Sequence, residues 1–133
     1  MSALVIFSAD VARLATFYEL VLDARPTREA SGDIRLVTDH DEVLVHTVPR
    51  AVAGGIEVSV PPEPRERSPL KPVFEVLSLP TALERVEQAG GLVTARTFQY
   101  QGSTRHDVVD PDGNVIQLRS GAGVTGGGEG LDA

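Results

Sequence analysis

Asp110-Pro111-Asp112-Gly113-Asn114-Val115-Ile116-Gln117-Leu118 is the stretch that decides the reading of this chain. Asp-Pro-Asp-Gly is a strong turn signal: proline presets one φ, glycine accepts a positive one, and aspartate bonds back to the turn backbone. Residues 105–109 before it and 114–119 after it read as the two strands it joins. Further back, residues 92–96 read as a strand, and Gly90-Gly91 as a helix stop. Leu79, Leu83, Val86 and Ala89 recur at helical spacing, and Ser78 is suited to cap that helix. Residues 72–77 are apolar around Glu75 and read as a strand. The order is β-α-β-β-β.

The same order occurs earlier in the chain. Residues 3–7 form a short apolar run suited to a buried strand. Asp10 is a good N-cap, and Val11, Leu14, Tyr18, Val21 and Leu22 give an amphipathic helix over 11–22 that Pro26 prevents from continuing. Strands are expected at 27–30, 33–38 and 42–48, with turns at Ser31-Gly32 and Asp39-His40-Asp41. A shift of 68 residues puts Val5 on Val73 and Asp10 on Ser78, and a shift of 71 puts His46 on Gln117. A duplicated unit explains this most economically. The expected organisation is one domain over 1–120, made of module one (3–48), an extended linker (49–70) and module two (71–119). The linker contains Pro49, Pro61, Pro62, Pro64, Pro69 and Gly54-Gly55, and Ile56, Val58 and Val60 alternate as in a short extra strand. The glycine-rich tail, 121–133, has too little apolar surface to offset its ordering entropy and is expected to be disordered.

Composition narrows the function. The chain has 133 residues, 41% of them hydrophobic, and a formal net charge of −7. The negative charge argues against nucleic acid and against an anionic membrane surface. There is no cysteine, so a disulfide, a thiolate nucleophile and a Cys-based zinc site are excluded. No run of about 20 apolar residues is present. The first apolar stretch is interrupted by Asp10 and Arg13 and reads as strand then helix rather than as a signal peptide. A cytoplasmic location is the expectation.

Three segments together resemble one family. They are 110–118, 10–22 with Phe17-Tyr18 and Val21-Leu22, and Val73-Phe74-Glu75-Val76 followed by a helix and Gly90-Gly91. Over residues 3–119 the chain resembles the vicinal oxygen chelate superfamily, which includes glyoxalases, bleomycin resistance proteins and ring-cleaving dioxygenases. The resemblance implies an α+β fold of two tandem βαβββ modules whose half-barrel sheets enclose a cavity, commonly in a homodimer. It also implies, for enzymatic members, a divalent metal held by four His, Glu or Gln side chains on the first and last strands of each module. That metal offsets negative charge developing on the substrate. The matching positions here are Ala3, His46, Lys71 and Gln117. Alanine has no lone pair to donate, and a protonated lysine repels a dication. The expectation is therefore no metal and no other cofactor, with a divalent metal as the alternative. Metal-free members of the superfamily exist.

The cavity candidates are His46, Gln117, Lys71, Arg119, Arg105 and His106. Strand alternation puts Glu42, Leu44 and His46 on one face, opposite Val43 and Val45. It likewise puts Val115, Gln117 and Arg119 opposite Ile116 and Leu118. Each candidate has a plain alternative: a hydrogen-bonded wall histidine for His46, a polar filler for Gln117, a lysine reaching solvent for Lys71, a solvent-facing or edge set for Arg105-His106-Asp107. Alternation also rules out a His106–Asp107 dyad. No catalytic residue is assigned. The expected function is binding of a small organic ligand without a family-type metal. The alternatives are an enzyme, either a metal-dependent lyase, isomerase or ring-cleaving dioxygenase or one using His46 as an acid–base group, and a non-catalytic partner-binding module.

Overall fold

The computed structural model describes residues 2–48, 59–66 and 68–120. Residues 49–58 of the linker, which include most of the possible strand at 56–60, and the tail 121–133 lie outside these. The described elements run β1 (Ser2–Ser8), α1 (Val11–Leu22), β2 (Arg25–Arg28), β3 (Ile34–Val37), β4 (Asp41–Thr47), β5 (Val73–Val76), α2 (Leu79–Gln88), β6 (Leu92–Tyr100), β7 (Ser103–Val109) and β8 (Val115–Ser120). This is two βαβββ units. Each has a four-stranded mixed sheet, ordered β1-β4-β3-β2 and β5-β8-β7-β6, in which the first strand runs parallel to the last.

Both helices start where the sequence places a cap. Asp10 Oδ1 accepts from the Arg13 amide at 3.1 Å, and the Ser78 hydroxyl accepts from the Thr81 amide at 3.3 Å. Pro80 sits in the first turn of α2, where its missing N–H costs nothing. α1 ends on Asp23 in the left-handed region, at φ 55°. The apolar stripes of both helices and the apolar faces of both sheets share one core. It contains Leu14, Phe17, Tyr18, Ile34, Leu36, Val43 and Val45 with Phe74, Val86, Val108, Ile116 and Leu118. Each such side chain contributes about 1.5–3 kcal/mol on burial. Among the described residues no helix is long and apolar enough to cross a membrane.

Module one's helix also grips module two's closing turn. The Tyr18 hydroxyl donates to Asp110 Oδ2 at 2.6 Å, and Arg13 Nη2 donates to the Pro111 carbonyl at 3.2 Å. The Tyr18 ring packs edge-on against Phe74 with centroids 5.8 Å apart. Burial, and then the neighbouring Asp110 charge, push the Tyr18 pKa well up, so the hydroxyl stays protonated as the donor.

Two sequence expectations are corrected here. Strands expected at 92–96 and 105–109 are longer, because Gln101 and Gly102, at φ 50° and 79°, make a two-residue hairpin turn that pairs Tyr100 with Ser103. Positive φ at both central residues suits the twist of a hairpin. The repeat register also differs. Ser8 pairs with Thr47 and Val76 with Ser120. With first strands offset by 68, the last strands are therefore offset by 73 rather than 71. The counterpart of His46 is Arg119, and that of Gln117 is Leu44.

Candidate functional site

The face of each sheet turned away from the helices carries the polar groups. On module two it presents Val73 and Glu75 from β5, Val115, Gln117 and Arg119 from β8, and Arg105 and Asp107 from β7. Alternation fixes these positions, since Phe74, Val108, Ile116 and Leu118 point into the core. Asp107 is fully buried there. Lys71 Nζ donates to its Oδ2 at 2.7 Å, and Gln117 Nε2 donates to its Oδ1 at 3.1 Å. Arg105 Nη1 donates to Gln117 Oε1 at 3.3 Å, and Arg119 Nη2 to Glu75 Oε1 at 3.4 Å. Two aromatic rings flank the group: the Arg105 guanidinium carbon lies 4.8 Å from the Tyr100 ring centre, and Lys71 Nζ lies 5.6 Å from that of Phe98.

Module one carries a different row in the equivalent place. His46 Nδ1 and Asp33 Oδ1 are 2.9 Å apart, and the Phe7 ring centre is 5.2 Å from that of His46. The Thr47 amide donates to the same Asp33 oxygen at 3.2 Å. Partial burial raises the Asp33 pKa, but the hydrogen bonds from His46 and Thr47 and the imidazolium charge outweigh it, so the carboxyl titrates below its ordinary value. The pairing leaves His46 Nε2 with no hydrogen-bond partner among the described residues. Arg35, one row along, lies between Glu29 and Glu42.

The structure thus gathers Lys71, Arg105, Gln117 and Arg119 on one face and sets His46 on the other module's face. It does not bring His106 to either. His106 stands opposite Leu118, on the core side, and its Nε2 lies 2.6 Å from the Thr94 carbonyl. There it serves the irregularity between Val93 and Thr97, where the β6–β7 register shifts and a ladder partner is missing.

Sequence reading missed Asp107 and Asp33, and both were within reach. A turn at Asp110–Gly113 that pairs Val109 with Val115 puts Asp107 opposite Gln117. A tight turn at Asp39-His40 puts Asp33 beside His46, one step beyond the Ile34–Val45 pair. The adjacency of charged residues in sequence drew attention to Arg105-His106-Asp107 as a surface triplet, whereas register decides that Asp107 is buried.

The family's metal can be tested against the donors. Ala3, His46, Lys71 and Gln117 supply a methyl, an imidazole already bonded to Asp33, an ammonium held by Asp107, and a neutral amide. Among the described residues no three His, Asp or Glu side chains come together as a metal site. This set does not fit a family-type divalent ion.

The glyoxalase-like domain model matches residues 3–119. The chain belongs to the glyoxalase-like domain family. With it comes membership of the vicinal oxygen chelate superfamily, as the paired βαβββ units require. Solved structures agree with this glyoxalase-like fold. An integron cassette protein from the mobile metagenome of V. cholerae is 25% identical, with a TM-score of 0.62 and coverage of 91% of this chain and 94% of that one. A glyoxalase/bleomycin resistance protein/dioxygenase family enzyme from Burkholderia phytofirmans PsJN is 17% identical, at 0.65 over 89% and 95%. The fosfomycin resistance protein FosX from Mesorhizobium loti is 19% identical, at 0.63 over 91% of each. No curated protein matches this glyoxalase-like chain.

Proposed function

We propose that this protein binds a small organic molecule on the open faces of its sheets, without a family-type metal. The observation that carries the reading is the Lys71–Asp107–Gln117–Arg105 network set among Val73, Phe98 and Tyr100. Buried polar groups fixed on an apolar wall orient a ligand, while the wall supplies the area it buries. One end of the network, Lys71, lines a cleft of about 420 Å³ together with Leu70, Thr94 and Val115. In this reading the partner is a second copy of the chain. Phe7 and Val5 on module one's open face are about half exposed, and a partner covers such surface. Sedimentation equilibrium checks the dimer, and a monomer at all concentrations removes it.

The test of the binding reading is a thermal-shift screen of chelator-treated protein. A bound ligand raises the melting temperature by mass action. Gln117→Leu is expected to weaken binding, by roughly tenfold, by removing the amide that links Asp107 to Arg105. One divalent ion retained per chain, with binding lost on its removal, would overturn the metal-free reading.

The Asp33–His46 pair favours a second reading, a metal-free enzyme with His46 as the acid–base group. Asp33 fixes the ring so that Nε2 is the free atom, the arrangement in which imidazole takes or gives a proton. If so, Asp33→Asn lowers kcat and moves its pH profile while leaving KM nearly unchanged. A profile that does not move removes the role.

A further inference from the structure

One cation on module two's open face has no ion-pair partner among the described residues. Lys71 is matched by Asp107 at 2.7 Å, and Arg119 by Glu75 at 3.4 Å. Arg105 makes no ion pair among the described residues. It stands directly opposite Arg119 across the β7–β8 ladder, on the same face. Like charges placed opposite each other in a sheet are destabilising. Arg119 has the Asp41 carboxylate near it as well as Glu75, whereas Arg105 has neither and stands unpaired on a face with exposed aromatic rings.

Arg105 is also held still. Its Nε donates to the Ser103 hydroxyl at 3.4 Å and its Nη1 to Gln117 Oε1 at 3.3 Å, while its guanidinium carbon lies over the Tyr100 ring. These contacts use neutral acceptors and a ring, so they fix the guanidinium without cancelling its charge. Nη2 keeps its donors. A planar fork fixed in this way suits a carboxylate, which accepts two parallel N–H bonds. Tyr100 and Phe98 are 55% and 41% exposed, and their ring surface lies beside the charge. An aromatic body with one carboxylate matches both features.

We propose that Arg105 is the anion subsite of this face, and that the ligand class is a small aromatic carboxylic acid. The inference rests on the binding reading above and goes further by naming the ligand's charge and its anchor. The carboxylate relieves the Arg105–Arg119 repulsion, and its body covers the rings.

The probe is benzoate, with benzyl alcohol as its uncharged counterpart, titrated into the full chain and followed by two-dimensional amide and arginine Nε resonances. Benzoate is expected to shift the Arg105 Nε signal and the Ser103 and Arg119 amides at millimolar concentration. Benzyl alcohol should bind about tenfold or more weakly, and Arg105→Gln should weaken benzoate by the same factor while leaving the melting temperature near its original value. Arg105→Lys should fall between, keeping the charge but losing the fork. If the acid and the alcohol bind equally and Arg105→Gln changes neither, the anion subsite is overturned while the binding reading stands. No shift with benzoate at these concentrations also overturns the subsite. The chelator-treated screen, whose compounds carry no charge requirement, then judges the binding reading separately.

Discussion

Asp110→Ala is expected to destabilise the fold by about 3 kcal/mol, a fall on the order of 10 °C in melting temperature. The carboxylate is fully buried. Its Oδ1 accepts from the Asp112 and Asn114 amides, each at 2.9 Å. Its Oδ2 accepts from the Tyr18 hydroxyl at 2.6 Å and from Asn114 Nδ2 at 2.9 Å. Alanine leaves four donors without an acceptor, those of Tyr18 and Asp112 buried and those of Asn114 half-buried, and unsatisfied buried donors are what make such losses large. Tyr18→Phe removes one of the four bonds and the carboxylate keeps the rest, so about 1 kcal/mol is expected. Chemical denaturation of the two variants checks the ranking. Equal losses would mean that the turn is held by something other than Asp110.

The same carboxylate sets a pH dependence. Burial is the main cause of its raised pKa; hydrogen bonds from Tyr18 and Asn114 oppose the rise, and the nearby Asp112 charge adds to it. Ionisation therefore costs more in the folded state than in the unfolded one. Asp110's contribution is fully present below the ordinary carboxylate value and declines as pH rises through its raised folded value. Asp33 acts in the opposite direction: its lowered pKa adds stability above the ordinary value, lost as pH falls through the folded one. Melting temperature against pH for the parent and for Asp110→Asn separates the two. The variant should lack the decline that begins above the ordinary carboxylate value and keep the loss below it.

Gly91→Ala is expected to cost about 3 kcal/mol, at the upper end of overpacking effects. A Cβ at this position would lie 2.5 Å from the Val109 carbonyl oxygen, 2.6 Å from Phe17 Cε1 and 3.0 Å from Val86 Cγ1. The oxygen belongs to a strand inside the sheet, and Phe17 and Val86 are fully buried, so none can give way cheaply. The added methyl must push α1 away from module two. Gly32→Ala is the control: a Cβ there meets nothing within 4 Å, and only its φ of 97° opposes the change. That strain is worth about 1 kcal/mol. If the two substitutions cost the same, close packing at Gly91 is not what matters.

Gly90 and Gly91 show how far local reading reaches. In sequence the pair is a helix stop. Gly90, at φ 90°, fulfils that role, whereas Gly91 is required by the Val109 carbonyl and by Phe17 of the other module. The helix at 11–22 was legible because a cap and an apolar stripe at helical spacing are local. The closing hairpin was legible for the same reason, and its turn determines that Asp107 faces Gln117. The repeat offset was misread by two residues because it depends on how a parallel strand pair, separated by a whole helix, settles in register. Alternation survives an error of two, so the residues assigned to each face stayed correct while their partners changed.

By itself, the sequence determined the order of elements, both caps, the turns at Ser31-Gly32, Asp39-His40-Asp41 and Asp110–Gly113, and which residues alternate towards the core. Each of these depends on steric and hydrogen-bonding preferences that span a few residues. Only the tertiary structure decided that Tyr18 reaches Asp110, that Asp33 holds His46, that Lys71 neutralises Asp107, and that Arg105 faces Arg119 without a carboxylate of its own. Those relations join segments far apart in the chain or depend on strand register. Their energies come from burial and from charges brought within a few ångströms, neither of which exists before the two modules close on one core.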